Sequence, residues 1–414
     1  MRTKMFRRAA LRLIVGATAS PAVAGIGAST AAADQAVKVG VDVLLTGVGA
    51  SRGALLRDAV LLAFEEADAA HTVPGATIEV VIYDDSTAGR YDRAQAAANA
   101  HKMVADRQVV AVVGPQYSDA GKAMTPILSE GGLATITPGA SNPDLTDPKF
   151  AAQYRPAGKP IFFRMLTTDA YQGPNLANYF KSALNMNSVF VLDDGSLYGV
   201  GTADAFQARA EQKGIKVLGR DRLDPSATEY TEVLRKVSQL NPDGLYYGGT
   251  QQAGGKLVKQ AHETIPNAIK GTGDSLIDHD ILSTVGFPSL EGWYFTDAAP
   301  NLMAADKAQD FIKRFQARFG RPPYNYAICA YDAALVIIAA MQRLTAAGTP
   351  ITREAMRDAI QSAKVETLQG VVSFDEDGDL TDHTVSLYRV TKDPDHPLDD
   401  MRYQARYLGV APPS

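Results

Sequence analysis

Residues 109–145 read VVAVVGPQYSDAGKAMTPILSEGGLATITPGASNPDL. An apolar run, Val109–Val113, meets a glycine turn and then Ser118, where a helical pattern begins. A second short run, Leu133–Ile136, ends in Thr137-Pro138-Gly139-Ala140-Ser141. Short apolar runs bounded by turn residues read as buried strands. Two such strands joined by a helix pair in parallel, and the loops that follow them emerge on the same edge of the sheet. At that edge, beyond the carboxyl ends of the strands, open α/β sheets bind ligands. Each loop carries a hydroxyl, Ser118 or Ser141. With free backbone N–H groups beside them, the two hydroxyls form a seat for a small carboxylate.

The same alternation extends outward in both directions. Upstream, a strand (Val37–Leu45), a helix (Ala54–Ala69), a strand (Thr77–Tyr83) and a helix (Asp92–Asp106) lead into the quoted stretch. After a loop over 142–159 the pattern restarts. Strands are expected at Ile161–Phe163, Ser188–Leu192, Ile215–Leu218, Gly244–Tyr247, Ala268–Gly271 and Gly292–Thr296, the first five followed by helical segments. A long helical stretch, 305–319 and 326–344, comes next. Val371–Phe374 and His383–Val390 close the chain as sheet, joined by the turn Asp375–Asp379. Two similar α/β halves, crossed by several connections and separated by a cleft, are the expected architecture. Clefts of this kind are preferred sites for small ligands.

The composition fits a soluble globular protein of two ordinary domains: 414 residues, 46% hydrophobic and 21% charged. Arg2, Lys4, Arg7, Arg8 and Arg12 precede or edge an alanine-rich apolar run that ends in Ala31-Ala32-Ala33 before Asp34, which reads as a secretory signal peptide over 1–33. Gly16, Ser20, Pro21, Gly25 and Gly27 interrupt that run and argue against a transmembrane anchor. No cysteine lies there, so lipidation is not expected. Cleavage removes five positive charges and takes the formal charge from −5 to −10. An acidic exported chain is a poor partner for nucleic acid. Cys329, the single cysteine, sits in an apolar helical run and reads as a buried small hydrophobe.

Several motifs come close to known chemistry and fall short. Thr46–Gly53 follows the first strand, and Asp84-Asp85 closes the next, as in a dinucleotide site; but Arg52 stands where the third glycine of G-x-G-x-x-G belongs. Gly49-Ala50-Ser51-Arg52-Gly53 matches G-x-S-x-G, so a secreted serine hydrolase using Ser51 is the alternative function. Gly249–Lys256 lacks the first glycine and the final hydroxyl of a phosphate-binding loop. Asp375–Asp379 lacks the spacing of a calcium loop. No Cys/His set has metal-ligand spacing, and neither metal nor cofactor is expected. Two residues stand out at strand ends facing the cleft. Tyr198 follows Asp193-Asp194-Gly195, and Asp274 follows Gly271-Thr272-Gly273, where an acid can cap a helix or receive a ligand ammonium.

From Val37 to about Val390 the chain resembles the leucine/isoleucine/valine-binding protein family. The segments that carry the likeness are Val81–Asp85, Ile136–Leu145, Tyr171-Gln172-Gly173, Leu245–Gly249 and Phe374–Leu380. The resemblance implies a type I periplasmic binding fold, two Rossmann-like lobes with parallel sheets joined by a multi-crossing hinge. It implies lobe I over 34–168 and 297–373, and lobe II over 169–296 and 374–414. It implies a non-enzymatic, monomeric, exported receptor of an ABC importer at the periplasmic or extracellular face, handing an amino acid to a membrane permease. Ser118, Gly139, Ala140 and Ser141 would then take the ligand carboxylate, and Tyr198 and Asp274 the ammonium. Arg52, Thr250 and Tyr326 fall at the side-chain pocket. Arg52 and Thr250 stand where the family often has aromatics, so a polar, acidic or larger side chain is expected to be admitted.

Overall fold

The computed structural model describes residues 34–414, and the signal peptide expected over 1–33 lies outside them. A five-stranded parallel sheet is built from β1 (Gln35–Val43), β2 (Ala76–Asp84), β3 (Val109–Val113), β4 (Thr135–Thr137) and β5 (Phe162–Arg164), in the order β2-β1-β3-β4-β5. All five residues of β3 are buried, as an uninterrupted valine-rich run requires when helices cover both faces. One face carries α1 (Ala50–Ala69); the other carries α2 (Arg93–Ala105) and α3 (Ser118–Glu130).

A second sheet holds β6 (Ser188–Asp193), β7 (Lys216–Arg222), β8 (Gly244–Gly248), β9 (Ile269–Thr272), β10 (Tyr294–Asp297), β11 (Ser386–Val390) and β12 (Ala405–Val410), in the order β12-β11-β10-β9-β8-β6-β7. On one face lie α4 (Asp169–Ser182) and α5 (Leu197–Gln212); on the other lie α6 (Thr231–Leu240) and α7 (Gln251–Thr264). This sheet is not wholly parallel, since β11 runs antiparallel to both β10 and β12.

The late helical segment belongs with the first sheet. α8 (Gln309–Phe319) and α9 (Asn325–Ala346) bury Phe311, Phe315, Ile328 and Ile337 in the same core as Val39, Val41 and Val113. α9 is the one helix among the described residues long and apolar enough to span a membrane; 72% of that stretch is buried inside the protein, so it is a core helix. Cys329 lies on it, fully buried as expected.

The chain passes between the sheets three times, after β5, after β10 and before β11. Thr167 N donates to Ala298 O at 2.7 Å, tying the first crossing to the second. The Tyr171 ring stacks on His383 at 4.6 Å, tying the first to the third. Residues 374–380 were expected with the second lobe, but Phe374 and Leu380 are buried in the first core and pair across the Asp375–Asp379 turn. Asp375 Oδ1 accepts the backbone N–H groups of Asp377, Gly378 and Asp379, the pattern of a tight turn.

Candidate functional site

Both sheets have a reversal of strand order, β1/β3 in the first and β6/β8 in the second, and the loops at those points diverge to leave a crevice. The turns and helix starts that follow β1, β3 and β4 carry Arg52, Ser118 and Gly139–Ser141. Those that follow β6, β8 and β9 carry Tyr198, Thr250 and Asp274. The structure brings these two sets face to face. Asn142 Nδ2 donates to Leu197 O at 3.3 Å, and Leu197 N donates to Asp119 Oδ2 at 3.1 Å. Ser51 Oγ donates to Asp280 at 2.5 Å. The jaws are closed.

Asp274 lies at the centre, 2% exposed. Tyr198 donates its phenol to Oδ1 at 2.7 Å, and Tyr326, from the opposite jaw, donates to Oδ2. Tyr326 Oη also accepts from Ala298 N at 3.0 Å, on the second crossing. Burial first, and the charge of Asp274 next, raise both phenols, so both stay protonated as donors. Glycine is required at Gly273, since a Cβ there would run into the Tyr198 hydroxyl.

On the first jaw, Ser118 Oγ accepts from Asn142 N at 3.1 Å, which leaves its own hydrogen free to donate. Ser141 Oγ is buried, makes no hydrogen bond of good geometry among the described residues, and lies beside the Asp169 carboxyl. The N–H groups of Gly139 and Ala140, expected to be free, both donate to Thr137 Oγ1, at 3.1 and 2.8 Å. The seat on this jaw is therefore made of hydroxyls more than of backbone donors. Its loop packs hard against the turn that follows β3, for a Cβ on Gly139 would lie 2.5 Å from Gln116 O.

Three residues that the sequence reading passed over complete the region. Asp169, first in α4, is 1% exposed, beside Ser141 and within the field of Asp274. Burial, then Asp274, push its carboxyl up to about 7. Asp297, at the end of β10, is likewise pushed up to about 7 by burial and Asp274. Arg164, in β5, is fully buried and holds the Gly139–Asn142 loop in place. Its guanidinium donates to Ala140 O at 2.6 Å, Asn142 O at 2.9 Å, Thr146 Oγ1 at 2.8 Å and Asp379 Oδ1 at 2.6 Å. The signal for Asp169 was Thr168-Asp169 opening a helix just before the Tyr171-Gln172-Gly173 segment. For Arg164 it was a lone cation closing the apolar strand Phe162-Phe163-Arg164.

Arg52 is 6% exposed, its guanidinium 5.3 Å from the Tyr324 ring centroid and 5.8 Å from that of Tyr326. Its Nε stands 3.9 Å from Asp278 Oδ2 and makes no hydrogen bond among the described residues. Thr250 is less available. It begins α7, and both its N–H (2.7 Å) and its hydroxyl (3.0 Å) donate to Asp194 Oδ2. Ser51 lies within α1 and is bonded to Asp280, while the His279 ring meets Asp399 O at 2.9 Å. A nucleophile elbow needs its serine on the strand-to-helix turn and hydrogen-bonded to an imidazole; Ser51 is inside the helix and its hydroxyl donates to Asp280, with no hydrogen bond to a histidine among the described residues.

A profile of the periplasmic binding protein family matches residues 36–395. The leucine-, isoleucine-, valine-, threonine- and alanine-binding protein of Pseudomonas aeruginosa is 29% identical over 376 residues, 91% of this chain and 95% of that one. Among solved structures, the leucine-binding protein LivK of Thermotoga maritima superposes with a TM-score of 0.77 at 23% identity, covering 91% of this chain and 98% of that one. The branched-chain amino acid transporter substrate-binding protein LivJ of Streptococcus pneumoniae, solved with isoleucine, gives 0.74 at 22% identity, covering 91% and 100%.

Proposed function

Because the chain belongs to the periplasmic binding protein family, we propose that it is the exported receptor of an ABC importer, closing around an α-amino acid of the branched-chain type or a relative of it. One observation carries this reading above the others. A carboxylate, Asp274, is gripped by a phenol from each jaw, with two serine hydroxyls across the cleft. A zwitterion suits that arrangement. Its ammonium would sit against Asp274 and Asp169, and its carboxylate on the hydroxyls of Ser118 and Ser141 beside the Gly139–Ala140 turn. Contacts to both jaws give the ligand a higher affinity for the closed form, which is what shifts a hinge equilibrium. We assign lobe I to 34–167 and 298–382 and lobe II to 168–297 and 383–414. The mature chain would present its closed form to a membrane permease and release its cargo there.

Arg52 shapes the selectivity. Its unpartnered Nε offers a donor at the side-chain end of the cleft, so amino acids with an acceptor in the side chain should bind more tightly than leucine. Thermal-shift and calorimetric titration against the free amino acids test the whole reading. Saturable 1:1 binding of at least one, with no turnover, is the expected result; no binding across the panel would overturn it. Arg52→Ala should move the preference toward aliphatic side chains.

The proton content of the site gives a second test. Burial pushes the Asp169 carboxyl up to about 7, and an ammonium beside it favours its ionised form. Binding an ammonium below that pH must displace a proton. Affinity should therefore rise with pH, by up to about tenfold per unit for each proton released, and level off above about pH 8. Calorimetry in two buffers of different ionisation enthalpy counts the protons, and Asp169→Asn should release fewer. Affinity independent of pH across this range would remove Asp169 from the ligand's surroundings.

A further inference from the structure

Arg52 does not stand alone at the side-chain end of the cleft. The mouth there is lined by Arg52 and Tyr324 from one jaw and by Asp278 and Asp297 from the other. Asp278 lies on the same loop as Asp274 and is 5% exposed. Its two oxygens are turned to different partners. Oδ1 accepts the Ile281 N–H at 2.9 Å and so caps the short helix His279–Thr284. Oδ2 accepts from Gln251 Nε2 and faces Arg52 Nε across the mouth at 3.9 Å. A helix cap needs only one carboxylate oxygen. The other keeps a lone pair for the cleft.

Charge and hydrogen bonding at this mouth select among side chains. Burial raises the carboxyls of Asp278 and Asp297, Asp274 raises Asp297 further, and Arg52 is the basic side chain that draws both back. The guanidinium charge is thus already answered from the opposite jaw. A ligand carboxylate brought to Arg52 would stand against Asp278, and like charges so placed repel strongly. A hydrocarbon side chain would shut water out and leave Arg52 Nε, which has no hydrogen bond among the described residues, without an acceptor. A carboxamide meets both demands, with a carbonyl oxygen for Arg52 Nε and an NH₂ group for Asp278 Oδ2. Tyr326 sets the alignment. Its hydroxyl bonds Asp274 while its ring centroid lies 5.8 Å from the Arg52 guanidinium. A ligand laid along that ring has its ammonium at Asp274 and its side chain at Arg52.

We infer that Asp278 is a specificity-determining residue, and that with Arg52 it restricts the clamp to amino acids with an uncharged carboxamide side chain. This rests on the amino-acid reading of the cleft and narrows it. The probes are L-glutamine, L-glutamate and L-leucine, titrated calorimetrically into the whole protein. Glutamine is expected to bind about tenfold or more tighter than either of the others. Asp278→Asn keeps a cap for Ile281 and removes the charge. In that variant glutamate should gain about tenfold or more, while glutamine changes by no more than about threefold. Asp278→Ser, which keeps only the cap, should move the glutamate-to-glutamine ratio in the same direction. Thermal unfolding shows that both variants are folded. A parent that binds glutamate as tightly as glutamine would overturn the inference, as would a ratio that moves in neither variant. Leucine binding as tightly as glutamine would overturn it too, yet leave the clamp standing. Silence of all three probes overturns it as well; the clamp falls only if every other free amino acid is silent with them.

Discussion

Replacing Asp274 with alanine is expected to cost about 2–5 kcal/mol of ligand binding, a rise in Kd of roughly thirtyfold to several thousandfold. The size follows from what would be left behind. A ligand ammonium taken from water into the cleft would lose its charge partner, and two buried phenols would lose their acceptor. Part of the penalty would fall on the protein itself, at about 1–3 kcal/mol for each orphaned polar group. Asp274→Asn separates the two effects. It keeps an acceptor for one phenol and most of the fold, yet removes the charge. If the asparagine variant binds amino acids as tightly as the parent in calorimetry, the ammonium is held elsewhere.

The second large effect is expected away from the ligand. Arg164→Met should lower the unfolding free energy by about 3 kcal/mol, at the modest end for a broken buried pair because Asp379 keeps 22% of its side chain in water. The same change frees Ala140 O and Asn142 O, so the serine loop would lose its brace. Affinity should drop along with stability, and added ligand should restore part of the melting temperature. Arg164→Lys is expected to recover little, since an ammonium cannot span four acceptors in a plane. Urea unfolding of the three proteins, with and without ligand, measures both quantities. Full stability in Arg164→Met would show that the loop is held by its packing on Gln116 instead.

The alternation of strand and helix, the crevice and most of its lining could be read from residue pattern because each is a local property. Val109–Val113 is apolar at every position since both faces of its sheet are covered. The hydroxyls at Ser118 and Ser141 follow strands in the chain, so the pattern alone puts them at one edge. What local pattern does not hold is direction and partner. β11 and β12 run against their neighbours, and nothing in Ser386–Val390 or Ala405–Val410 encodes orientation. Arg164 reads as a lone cation closing a strand, yet its four acceptors lie in two distant stretches of chain, residues 140–146 and Asp379. Asp169 reads as a favourable acid at a helix start; only the fold sets it beside Asp274. Thr250 opens a helix at a jaw, but its hydroxyl is committed to Asp194, 56 residues away.

The latches between the jaws carry one more consequence. Ser51 to Asp280, Asn142 to Leu197 and Leu197 to Asp119 hold the mouth shut through the protein's own atoms. A solute must then wait for these three contacts to part before it can enter. In stopped-flow mixing, the observed rate of capture should climb with solute concentration at first and then flatten to a ceiling, the frequency at which the mouth opens. Severing a latch with Ser51→Ala should lift that ceiling and hasten escape in parallel, so uptake would become faster while retention became shorter.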